Sequence, residues 1–76
     1  MKEQLDVLAQ SDDQWVRTVA KQAVQLWELH QAEAITDVEL LIQCEELLAD
    51  YKQELETVEL SERQVLITAV YDVAGI

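Results

Sequence analysis

Ile35-Thr36-Asp37-Val38-Glu39-Leu40 reads as the start of a helix. Thr36 followed three residues later by Glu39 is the capping-box pattern. The threonine oxygen accepts from an early backbone N–H and the glutamate reaches back to the N–H of the cap, so donors orphaned at a helix start are satisfied. Ile35 and Leu40 are spaced to pack on each other as a hydrophobic staple. The same signature recurs at Ser11/Gln14 and Ser61/Gln64, 25 residues to either side, the last with Leu60 and Val65 as its staple pair. The chain has no proline, and its one glycine is Gly75. Three evenly spaced helix starts with no interior breaker predict an all-α fold.

The spacing predicts helices over 2–10, 12–33, 37–56 and 62–74 within a single domain, 1–76. The first is short, with Met1, Leu5 and Leu8 at 4,3 spacing. In the second, Val16, Ala20, Ala23, Trp27 and His30 form one stripe, and Trp15, Val19, Leu26 and Leu29 form another beside it. Two stripes make a wider apolar face than one antiparallel neighbour needs. The third carries Leu41, Cys44, Leu48, Tyr51 and Leu55, widened by Leu40 and Leu47. The last carries Val65, Leu66, Ala69, Val70 and Val73, with Gly75 as its C-terminal cap. Short connections favour antiparallel neighbours, hence a compact three- to four-helix bundle, up-down-up, with the short N-terminal helix against one end. The 25-residue period aligns apolar positions but few identities, which fits similar helices in a bundle better than a duplicated solenoid unit.

With 76 residues the core is small, about 60 % of the unfolded surface being buried at this size. Half the residues are nonetheless hydrophobic, so some apolar surface is available for a second copy or another protein. Sixteen acidic against five basic residues give a net charge of −11. Such a charge repels nucleic-acid phosphates and anionic membranes and attracts cationic partners. It is concentrated in residues 28–62, where eleven acids face only Lys52. No apolar run is long enough to span a bilayer, and the first residues lack the pattern of a signal peptide. The single cysteine, Cys44, cannot form an intramolecular disulfide and suits a reducing compartment. The expectation is a cytoplasmic protein.

Chemistry is sparsely provided for. His30, Glu33 and Asp37 offer three metal-ligand types, but without a second histidine the pattern fits a boundary histidine that packs or caps better than a ligand. Cys44 lies mid-stripe among leucines, the place of an inert thiol. Ser11, Thr36 and Ser61 are accounted for by capping. Acyl carrier proteins share this length, acidity and helicity, but they carry their prosthetic group on the serine of Asp-Ser-Leu. Gln10-Ser11-Asp12 and Glu59-Leu60-Ser61-Glu62 do not match that motif. The expectation is a non-enzyme with no cofactor and no metal.

Two surfaces remain as partner-binding candidates. Glu39, Glu46, Asp50 and Glu54, with Gln43, fall within about 80° of arc on a helix. This acidic face is read either as a solubilising surface or as a docking site for Lys/Arg, with carboxylates standing where phosphates would. The apolar seam of Trp15, Val19, Leu26 and Leu29 is read either as covered by the first helix or as a self-association or partner surface.

Residues 19–48 have a further cadence. A helix with Ala20, Ala23 and Leu26 runs into Ala34-Ile35-Thr36-Asp37-Val38-Glu39, followed by Leu40, Leu41, Leu47 and Leu48. This resembles the small acidic helical accessory proteins of tailed bacteriophages, where an alanine-rich helix meets an Ile-Ser/Thr-x-x-Glu start and a leucine-rich helix. The resemblance implies a phage-encoded accessory protein without catalytic residues, and it transfers no site. The leading expectation is thus a non-catalytic protein–protein interaction module that self-associates, as a homodimer, or docks a host or viral protein, with no direct nucleic-acid or membrane binding. The alternative is an acidic inhibitor or nucleic-acid mimic that occupies the basic surface of a nucleic-acid-binding protein.

Overall fold

A computed structural model describes residues 2–75. Helix α1 spans Glu3–Leu8, α2 Gln14–Gln31, α3 Asp37–Asp50, α4 Lys52–Leu55 and α5 Leu60–Val73, and the described residues contain no strand. The fold is all-α.

Of the three expected capping boxes, one forms. Thr36 Oγ1 accepts from Glu39 N at 3.1 Å, and Thr36 N donates to Glu39 Oε1 at 3.0 Å. At the start of α2 the cap is Asp13, whose Oδ1 accepts from Trp15 N at 2.8 Å and Val16 N at 3.4 Å. Ser11 Oγ instead accepts from Asp13 N at 3.1 Å, a local turn that sets the aspartate in place. A carboxylate at the positive end of the helix dipole displaces the serine from its expected role. The third box fails because α5 starts at Leu60, which puts Ser61 inside the helix, its hydroxyl donating to Glu59 Oε1 at 2.6 Å. Its staple fails too: Leu60 is 56 % exposed and Val65 40 %.

The expected 37–56 helix is interrupted at Tyr51, whose backbone (φ −103°, ψ 15°) ends α3 before the single turn of α4. No local breaker marks this place. The Tyr51 side chain is held from α2, by Gln22 at 2.9 Å and by the Trp15 ring at a centroid distance of 6.0 Å.

Helix α2 is the centre of the bundle, touching α1, α3, α4 and α5. Helices α1 and α3 run antiparallel to it. Lys2 Nζ lies 5.4 Å from the Trp27 ring, while the other end of α1 leads to Ser11, next to the start of α5 at Glu62. Helix α5 therefore runs parallel to α2 and packs directly on it, with α1 and α3 on either side. The short α1 is an integral fourth member, held by Leu5 (fully buried) and Leu8. Burying a leucine side chain stabilises by roughly 1.5–3 kcal/mol, enough to hold a helix too short to persist alone. Met1, expected on the same stripe, lies outside the described residues.

The buried core is apolar throughout among the described residues: Val16, Val19, Ala20 and Ala23 from α2, Leu40, Cys44 and Leu47 from α3, and Leu66, Ala69, Val70 and Val73 from α5. Leu55 and Val58 close it from α4 and the following connection. Gly75, at φ 84°, takes the left-handed position after α5, and its N–H donates to Asp72 O at 3.1 Å. The radius of gyration, 11.4 Å, matches the roughly 11 Å of a single domain of this length.

Candidate partner-binding groove

Helices α2 and α3 are pinned at both ends. The connection between them closes as a Schellman motif, with Ala34 N donating to Leu29 O at 2.9 Å and Glu33 N to His30 O at 3.0 Å. The motif requires a left-handed residue, and Glu33 occupies it at φ 61°. His30 Nε2 donates to the Asp37 carboxylate across the same connection, and the Thr36–Glu39 box starts α3 beside it. At the far end the clamp is Tyr51 between Gln22 and Trp15.

Between these clamps the two helices leave an open groove of about 250 Å³. Helix α2 lines it with Gln22, Gln25, Leu26 and Leu29, and α3 with Gln43, Glu46, Leu47 and Asp50. The two candidate surfaces thus meet here in part. Leu26 and Leu29 of the apolar seam face Glu46 and Asp50 of the acidic face. Leu29 is 44 % exposed, while Leu26 is half-buried against the core. Glu46 and Asp50 are exposed and, among the described residues, have no hydrogen-bond or ion-pair partner.

The remaining candidates lie elsewhere. Val19 is fully buried, and Trp15 packs on the core and on Tyr51, so neither presents a free seam. Val19 belongs to the core itself, and Trp15 has the Tyr51 ring against it from the α3–α4 break. Glu39 is exposed but engaged in the α3 cap. Glu54 is carried on α4, beyond the break at Tyr51; it is half-buried, and its Oε2 is closed off from solvent without a hydrogen-bond partner. The four-carboxylate ladder is therefore two free carboxylates on the groove, one capping glutamate and one displaced glutamate. Gln22 and Gln25 line the groove without having been singled out from sequence. The available signal was their position four and one residues before Leu26, on the polar edge of its stripe.

Among the described residues, no group of three or more His, Cys, Asp or Glu side chains is arranged to hold a metal ion. Cys44 is fully buried, and desolvation pushes its thiol up to about 11. Among the described residues, no helix is long and apolar enough to cross a membrane. Comparison with protein-family models, with curated proteins and with solved structures finds no match.

Proposed function

We propose that this chain is a non-catalytic protein–protein interaction module that docks a protein partner in the α2–α3 groove. The observation that carries the reading is the placement of exposed Leu29 beside unpaired Glu46 and Asp50 in one cleft bounded by contacts at both ends. An apolar floor with charged edges is the anatomy of a docking patch, a desolvated centre ringed by polar groups. Ile42, one turn before Glu46 and 49 % exposed, extends the apolar surface along α3. The resemblance of residues 19–48 to phage accessory proteins is compatible with such a module and would make the partner a host or viral protein.

The test is a photo-crosslinking residue at Gln25 in the groove, with Gln64 on α5 as the control, expressed in the native cell. The reading expects a discrete adduct from Gln25 that Leu29→Ser abolishes and that Gln64 does not give. Identical adducts from both positions would discard it.

The second reading, a nucleic-acid mimic, is supported by the one-turn spacing of exposed Glu46 and Asp50 and is weakened by the departure of Glu54. It expects binding that collapses as salt rises, whereas docking through Leu26 and Leu29 persists at high ionic strength.

A further inference from the structure

Resting on the docking reading, we infer that the groove takes an amphipathic helix with Lys or Arg along one flank, rather than a second copy of this chain. The groove runs from Gln22 to Leu29 on one side and from Gln43 to Asp50 on the other. Seven residue steps on each helix give a length of about 10 Å, two turns of an incoming helix. Its walls are unequal. Helix α2 offers neutral amides at Gln22 and Gln25, and α3 offers the carboxylates of Glu46 and Asp50. Those carboxylates stand one turn apart, the rise that separates cationic residues at i and i+4 of a helix lying alongside. Leu26 and Leu29 between the walls accept an apolar side chain from the same incoming face. A cationic flank beside an apolar stripe satisfies both at once.

The chain itself is a poor occupant. Two copies bring −11 each to the contact. Three of its five bases are already engaged: Lys2 with Asp6 at 2.8 Å, Arg17 with Ser11 O at 2.7 Å and Arg63 with Leu55 O at 3.4 Å. Like charges set against each other on association are repulsive, so the electrostatics select a different, basic chain.

The test uses three labelled helical peptides that share one leucine stripe and carry Lys, Gln or Glu at i and i+4 on its flank, titrated by fluorescence anisotropy. The lysine peptide is expected to bind best. Its affinity should fall about tenfold with Glu46→Gln plus Asp50→Asn, the loss of two partly exposed charge pairs. It should also fall with Leu29→Ser, with circular dichroism verifying that each variant is folded. Equal binding of all three peptides, still sensitive to Leu29→Ser, would overturn the cationic assignment and leave docking in place. A homodimer in light scattering that Leu29→Ser dissolves would overturn it in favour of a second copy. If no peptide binds in a way that Leu29→Ser affects, the assignment is overturned, and the docking reading falls with it when the Gln25 crosslinker also gives no adduct of its own.

Discussion

The Tyr51 hydroxyl accepts a hydrogen bond from the Gln22 side-chain amide at 2.9 Å, which ties the α3–α4 break to the middle of α2. Gln22 is also a wall of the groove, so one contact serves both the fold and the candidate site. Tyr51→Phe keeps the ring against Trp15 and removes the hydroxyl. Its expected cost is about 1 kcal/mol, a fall in Tm of about 4–8 °C for a domain of this size. Thermal unfolding followed by circular dichroism checks it, and an unchanged Tm would show that the hydroxyl contact adds nothing.

Glu33 sits at φ 61° in the position where helix C-termini favour glycine. The left-handed region costs a residue with a Cβ about 1–2 kcal/mol. Glu33→Gly is therefore expected to raise unfolding stability by about 1 kcal/mol, after allowance for the greater freedom of glycine in the unfolded chain. Glu33→Ala keeps the Cβ and should give no such gain. Parallel urea titrations of the two variants separate these outcomes.

The capping assignments are separable by alanine. Thr36→Ala removes a cap that accepts from Glu39 N and should cost about 1 kcal/mol. Asp13→Ala should cost a similar amount, since its carboxylate accepts from two amides. Ser61→Ala, inside α5 and exposed, should stay within about 0.5 kcal/mol of the parent. A large loss at Ser61 would mean that α5 starts later than Leu60.

Burial raises the Cys44 thiol from the ordinary 9.0 to about 11. Below pH 9 both folded and unfolded chains hold the proton, and the stability due to this group is fully present. Between about 9 and 11 the unfolded chain releases the proton while the folded chain keeps it, so stability falls as pH rises. Denaturant titrations at pH 8 and pH 10.5 should show the loss, and Cys44→Ala should remove that part of it. Native protein should also resist a thiol reagent at pH 8 and react fully once unfolded.

The fold class was legible because helix periodicity and the absence of breakers are local properties. Thr36–Glu39 was legible because no stronger cap competes with it. Ser11 was a decoy because Asp13, two residues on, is the better acceptor for the first amides of α2, and local pattern alone does not rank two caps so close together. Tyr51 carried no signal at all. What holds the break is a pair of contacts to α2, Gln22 and Trp15, from residues 29 and 36 positions away in the chain. The groove inherits both limits. Leu26, Leu29, Glu46 and Asp50 were visible as helix faces, but their meeting depends on how α2 and α3 are clamped. The loss of Glu54 and Trp15 from the expected surfaces follows from the unseen break.

Lys2, just before α1, rests its cation near the indole of Trp27, and of the four arginine and lysine heads beyond it the two arginines turn toward carbonyl oxygens of their own chain. With sixteen acids against five bases, the field at a distance is negative. A basic molecule diffusing past is drawn inward before any surface touches, and the speed of that first encounter, more than the tightness of the final fit, is what dissolved ions will slow.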